Sequence, residues 1–225
     1  MIKIANLGFK YGNGLEVIRN LHLNVDKGEF LCILGPNGCG KTTLLDIIAG
    51  FHKFDGTMSL GSKNIAYVFQ KSTLFPWLNI RQNILFGMDC SAVETGKVQN
   101  LLEKFDLADF GNKHPFELSG GMQKKVEVLR ALARKPEIML MDEPFSALDA
   151  QTRMLMQEFL KDIHENTRMT TVFVTHDIDE ALTLADRTVL LKQRPANIQK
   201  EIKKVEPKNY LKTKNNLFQI LKNEN

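Results

Sequence analysis

The sequence predicts an α/β protein with a helical lobe inserted into it, and three observations carry that prediction. Short apolar runs suited to buried parallel strands recur at residues 30–34, 137–142, 170–176 and 187–192, with helical patterns between the last three. Between about residues 72 and 136 the apolar spacing changes to three and four, the period of helices. The first run, FLCIL, leads directly through a glycine-rich loop into another helix.

The elements follow in order. IKIANLGFKYG and EVIRNLHLNV alternate apolar and polar residues about a turn at Gly12, Asn13 and Gly14, predicting paired strands. FLCIL is a buried strand, and TTLLDIIAG is a helix that stops at Gly50. NIRQNILFGM, VETGKVQNLLEKFDL and SGGMQKKVEVLRALARK are the helices of the lobe. Strand and helix then alternate as EIMLMD, QTRMLMQEFLKDIHEN, TTVFVTH, IDEALTLA and RTVLLK, the mark of a mostly parallel sheet with crossover helices. One domain over residues 1–205 is expected, its core at about 1–70 and 135–205 and its helical part at about 71–134, followed by a basic tail at 206–225.

Composition narrows the class. The 225 residues are 43% hydrophobic and 25% charged, the balance of a soluble globular protein. No apolar run approaches the roughly 20 residues that cross a bilayer, and the opening MIKIANLGFK lacks a signal-peptide core, so a cytoplasmic location is expected. Cys32, Cys39 and Cys90 form no CxxC pair, which argues against a disulfide framework or zinc site. Of the net charge of +4, the stretch from Lys192 onward holds +6, because nine Lys or Arg face three Glu. Its lysines alternate with asparagines and apolar residues, as in a solvated terminal helix, and the main body offers no footprint for nucleic acid.

Gly35, Pro36, Asn37, Gly38, Cys39, Gly40, Lys41 and Thr42 match GxxxxGK[ST], after a strand and before a helix. Glycines let successive backbone N–H groups turn toward an anion, and the helix start adds partial positive charge. Lys41 can neutralise β- and γ-phosphate charge, and the Thr42 hydroxyl can ligate Mg²⁺. Cys39 fits as a small residue where the loop crowds the phosphates. Its place beside a lysine and a helix start also allows an acidified thiol. The strand ending in Asp142 and Glu143 supplies two carboxylates on opposite faces. Asp142 is suited to orient Mg²⁺ and Glu143 to take a proton from attacking water.

LSGGMQKKV at residues 118–126 repeats the theme of a helix start suited to phosphate. Ser119 is an N-cap, and Gly120 and Gly121 leave first-turn N–H groups bare. Two glycines there cost up to about 1 kcal/mol each against alanine and need a compensating use. Lys41 already serves one γ-phosphate, so this start is expected to serve a nucleotide held by a second, identical chain.

With these motifs the chain resembles the ATP-binding cassette ATPases over about residues 3–192. LSGG followed by a basic helix, with DEPFSALD after it, is the most specific combination. The resemblance implies a RecA-like core, an antiparallel β subdomain and an inserted helical subdomain, working as an ATP-hydrolysing dimer with Mg²⁺. It assigns Tyr11 in FKYG to stack on adenine, and Thr43 to the nucleotide-binding loop with Thr42. Gln70 in VFQKS touches Mg²⁺ and the attacking water, Asp149 in SALD lies at the dimer seam, and His176 in VTHD contacts the γ-phosphate. Met122 departs from the family's usual glutamine; the Ser119 hydroxyl and the glycine amides remain. LSGGM, LFPWLNIRQNI, DEPFSALDAQTR and the RPA at 194–196 are similar to importer ATPases for nitrate, sulfonate and taurine. That implies permease subunits in the membrane, an extracytoplasmic solute-binding protein beyond them, and a peripheral position on the cytoplasmic face. Trp77, in an apolar loop after Gln70, either packs within the helical lobe or lines a groove for a permease helix. A soluble ATP-gated clamp or assembly scaffold is the alternative, whereas a P-loop kinase would not need LSGG.

Overall fold

Every residue of the strand Phe30–Leu34 is buried, which requires both of its faces to be covered. The computed structural model, which describes residues 1–86, 95–146 and 148–222, shows how. This strand, β3, is followed by α1 (Lys41–Ile48), and preceded by β1 (Ile2–Lys10) and β2 (Glu16–Val25). After α1 come β4 (Asp55–Leu60), β5 (Ile65–Val68), α2 (Ile80–Phe86), α3 (Thr95–Lys104) and α4 (Gly120–Ala133). Then follow β6 (Ile138–Asp142), α5 (Ala150–Thr167), β7 (Thr170–Thr175), α6 (Ile178–Leu184), β8 (Arg187–Leu191), β9 (Ile198–Lys203) and α7 (Tyr210–Lys222).

A six-stranded sheet runs β5-β6-β7-β3-β8-β9, parallel except for β9. Its side chains divide by the two-residue period of a strand. Phe30, Cys32 and Leu34 of β3, with Met139 and Met141 of β6 and Phe173 of β7, join a core with residues of α4, α5, α6 and α7. Leu31, Ile33, Ile138, Leu140, Val172 and Val174 point the other way, onto α1 and a three-stranded antiparallel sheet ordered β2-β1-β4. The paired strands expected around the Gly12-Asn13-Gly14 turn are β1 and β2, with Gly14 at φ 84° and its N–H bonded to the Tyr11 carbonyl. The cassette fold expected from the motifs is the fold observed. Cys90 and the ends of two predicted lobe helices, at 87–88 and 93–94, lie outside the described residues.

The parallel order has a chemical consequence. β5, β6, β7 and β3 are successive neighbours, so the segments leaving their C-terminal ends emerge side by side at one rim of the sheet. Those segments carry Gln70, the Asp142-Glu143 pair, His176 and the phosphate loop. Ligands of open α/β sheets bind in the crevice outside these strand ends.

The expected terminal helix is present as α7, but it is docked on the core and a strand precedes it. β9 pairs antiparallel with β8 through residues that the tail's lysines had masked. Beyond it, α7 docks on α6: Leu217 is fully buried, and Tyr210, Ile220 and Leu221 pack against the same core. The Tyr210 hydroxyl and Lys214 Nζ each reach Asp179 of α6 at 2.7 Å. Leu217→Ala should therefore destabilise the protein by about 2–5 kcal/mol in urea unfolding, the usual loss for a buried leucine. A shift under about 0.5 kcal/mol, typical of a surface site, would contradict this packing.

Candidate active site

The phosphate loop is shaped by what surrounds it. A side chain on Gly35 would meet Cys39 Sγ and the Leu191 carbonyl oxygen, both at 2.9 Å. Gly40, at φ 114°, starts α1 from the left-handed region, with Val17 Cγ1 2.9 Å from where a Cβ would stand. Cys39 is 1% exposed, packed beneath the loop, as suits a small residue there and not an exposed, reactive thiol. Lys41 is buried, its Nζ donating to the carbonyls of Gly35 and Pro36 at 2.9 and 3.0 Å.

The two carboxylates that end β6 have separate partners. Asp142 accepts from the Thr42 hydroxyl through both oxygens, at 3.1 and 2.9 Å. Burial raises the Asp142 pKa; the Thr42 bond opposes this, while the charges of Glu143 and Asp46 reinforce it. Glu143 turns the other way, for a reason that strand alternation does not supply. It lies just past the strand with φ 41°, in the left-handed region, while its N–H bonds the Val174 carbonyl of β7. A non-glycine residue held there costs about 1–3 kcal/mol, a strain concentrated at functional sites.

That turn delivers the Glu143 carboxylate into a convergence. Lys41 Nζ is 3.6 Å from its Oε1, His176 Nδ1 is 3.0 Å from Oε2, and Gln70 Nε2 donates to Oε2 at 3.5 Å. Three residues expected at the γ-phosphate, Mg²⁺ or attacking water thus meet at the carboxylate expected to accept the proton. The group can accept a proton, and the cation and amide beside it can stabilise anionic oxygen.

Tyr11 is 39% exposed, with its ring edge-on to Phe9 and its hydroxyl 3.1 Å from Thr43 Oγ1. It therefore stands at the first turn of α1 with a partly open face. Support for the strand ends comes from residues that sequence reasoning did not single out. The Thr175 hydroxyl donates to Glu180 at 2.6 Å, with Arg153 facing both Asp177 and Glu180, so the turn carrying His176 is braced from α5 and α6. Tyr67 donates to Asp46 at 3.0 Å, bracing α1 against β5. Their only signal in the sequence is the placement of carboxylates one turn beyond the motifs.

Ser119 caps α4, accepting from the Met122 N–H at 3.3 Å. Asp149 caps α5 in the same way, accepting from the N–H and hydroxyl of Thr152 at 3.0 and 2.6 Å. The two caps sit close, because a Cβ on Gly121 would stand 2.1 Å from Thr152 Cγ2. Gly121 thus has a use within the chain, whereas Gly120 is exposed and, among the described residues, would meet only Leu148, at 4.0 Å. None of the contacts of Ser119, Gly120 and Gly121 among the described residues reaches the phosphate loop. Met122 packs its side chain partly against the core.

A strand-borne phosphate loop, with a carboxylate pair at the end of β6 whose glutamate meets Lys41, Gln70 and His176, defines a P-loop nucleoside triphosphatase. The second glycine-led helix start narrows this further. The family model described as ABC transporter matches residues 18–146, and the chain belongs to that family; it is an ATP-hydrolysing cassette. It is 40% identical to an uncharacterised ABC transporter ATP-binding protein of Methanocaldococcus jannaschii, over 99% of this chain and 92% of the relative. It is 44% identical to the aliphatic sulfonates import ATP-binding protein SsuB of Bacillus licheniformis, over 83% and 77%. The taurine import ATP-binding protein TauB of Jannaschia sp. is 38% identical, over 89% and 81%. Among solved structures, a dimeric post-hydrolysis ATP-binding cassette bound to ADP and Pi superimposes with a TM-score of 0.77, at 31% identity, covering 92% of this chain and all of that one.

The two glycines separate packing from presentation. Gly121→Ala should lower stability by about 1–3 kcal/mol through overpacking against Thr152. Gly120→Ala should leave thermal unfolding unchanged or raise its midpoint, since alanine is the better helix former. Equal losses at both positions would contradict the geometry.

Proposed function

We propose that this chain is the energy-supplying subunit of a membrane importer for a small solute of the sulfonate, taurine or nitrate kind. Two copies act head to tail, each completing the other's nucleotide site. The meeting of Lys41, Gln70 and His176 at Glu143 is the observation that supports this most.

The phosphate loop, residues 35–42, binds the ATP phosphates through its N–H groups, with Thr43 in the first turn of α1 beside Tyr11, whose open ring face stacks on adenine. Glu143 pairs with Lys41; a bound γ-phosphate takes Lys41 over, freeing the carboxylate to act as base. Glu143 then accepts the proton of the attacking water, with His176 and Gln70 holding both in place. Thr42, Asp142 and the Gln70 side-chain carbonyl form a hard oxygen donor set that fits Mg²⁺, and the excess negative charge around buried Asp142 suits a cation. Bound Mg²⁺ supplies charge neutralisation for the transferring phosphoryl.

Ser119, Gly120 and Gly121 present the capped start of α4 to the γ-phosphate on the second copy, with Asp149 at the seam. Binding closes the dimer and hydrolysis releases it. Dimeric association of the related cassette bound to ADP and Pi supports this reading. No helix among the described residues is long and apolar enough to cross a membrane. Work would instead reach permease subunits through the loop after Gln70, from the cytoplasmic face. Trp77 there is 70% exposed, its ring tilted against Phe75, and that exposure supports the groove reading over packing inside the lobe. An extracytoplasmic solute-binding protein would deliver the solute to that permease.

Glu143→Gln should lower kcat by about 10²–10⁴-fold, the contribution of a general base, while ATP drives a stable dimer on size-exclusion chromatography. Hydrolysis at the wild-type rate would reject Glu143 as base. For the transport reading, tagged protein from detergent-solubilised membranes should bring down a polytopic permease, and Trp77→Glu should lose it while folding normally. Recovery of the cassette alone would favour a soluble role.

A further inference from the structure

α4 begins at the glycines expected to grip phosphate, yet its next two turns face a different segment. Lys124 and Glu127 form an ion pair of 2.6 Å with side chains only 9% and 2% exposed. A buried pair needs further hydrogen bonds to offset its desolvation, and these are supplied by the loop after β5. Lys124 Nζ donates to the carbonyls of Phe69 and Gln70 at 2.9 and 3.3 Å. Glu127 Oε1 accepts from the Thr73 N–H at 2.5 Å. One turn on, Arg130 donates to the Thr73 carbonyl at 2.9 Å and to its hydroxyl at 2.5 Å. Residues 124, 127 and 130 lie on one helix face, and together they clasp residues 69, 70 and 73.

We infer that Lys124 and Glu127 are positioning residues that join Gln70 to the start of α4, so that the reach of Gln70 toward Glu143 and the presentation of Ser119 and Gly120 change together. The hydrogen bonds of both side chains go to each other and to the loop after β5. Lys124 holds the carbonyls of Phe69 and Gln70, Glu127 holds the Thr73 N–H just beyond, and Gln70 is the one member of the Glu143 convergence carried by this loop. The loop also continues into Phe75 and Trp77, so the clasp lies between the nucleotide rim and the exposed aromatic surface. This inference rests on the ATP-driven dimer proposed above.

The test removes both charges at once, because replacing a buried pair by apolar residues of similar size preserves folding where loss of one partner does not. In the Glu143→Gln background, Lys124→Met combined with Glu127→Leu should retain the parent's affinity for a fluorescent ATP analogue on the monomer. The ATP concentration that half-dimerises the protein should rise about tenfold or more, within the range of coupling between linked sites. Lys124→Arg, which keeps the charge and its donors, should stay near the parent. A double variant that dimerises at the parent's ATP concentration would overturn the inference. Failure of the parent itself to dimerise would instead reject the proposed dimer. Should the double variant not fold, hydrogen exchange on the parent decides: ATP must protect the amides of Thr73 and Gln123 together, and protection of one without the other overturns the coupling.

Discussion

The site depends on one constraint: Glu143 must leave its strand through a left-handed backbone. With that φ the carboxylate turns toward Lys41, Gln70 and His176, each carried by a different strand end. Continued strand geometry would leave the carboxylate on a different face. The conformational strain is held by the Val174 carbonyl bond to the Glu143 N–H and by the Ser146 hydroxyl on the Glu143 carbonyl. One anchor comes from β7 and the other from the turn that follows, so both sides of the Glu143 backbone are held by the protein itself.

The same convergence satisfies a buried cation. Lys41 is shared among two loop carbonyls and the Glu143 carboxylate, so a lysine with 4% exposure is fully partnered. Removing one member of a buried pair generally costs about 3–5 kcal/mol, which makes an incoming phosphate the natural replacement for Glu143. Asp142 carries the complementary tension. It is buried beside the like charges of Glu143 and Asp46, which the Thr42 hydroxyl and the Lys41 charge only partly offset, a setting that suits a cation.

Much of this was legible in the sequence, because the chemistry travels in short contiguous motifs. GPNGCGKT, the apolar strand before Asp142 and Glu143, and LSGG each state a local geometry that backbone rules can read. What was not legible depends on residues far apart in the chain. The separate partners of Asp142 and Glu143 were expected, but their cause is a backbone turn, not the alternation of a strand. Gly121 was read as a phosphate feature and proves also to be a packing necessity against Thr152, some thirty positions away. β9 and the docking of the terminal helix were hidden by lysines: Ile198 and Ile202 alternate correctly, yet the polar composition of the tail masked the strand and the helix's buried face. The clasp of Lys124 and Glu127 on the Gln70 loop left no local trace, since its partners lie more than fifty residues upstream.

The outward-facing Gly120 and the inward-facing convergence at Glu143 belong to two different surfaces of one chain, which is what a nucleotide site divided between two copies requires. Complementation tests that division most directly. A Lys41→Ala chain keeps its helix start but cannot hold ATP, and a Ser119→Arg chain holds ATP but blocks its helix start. Each alone should be inactive, and mixing them should restore ATP hydrolysis, because one intact composite site forms in each mixed dimer. Mixtures as inactive as their components, or full turnover by the Ser119→Arg chain alone, would contradict a site built from both copies.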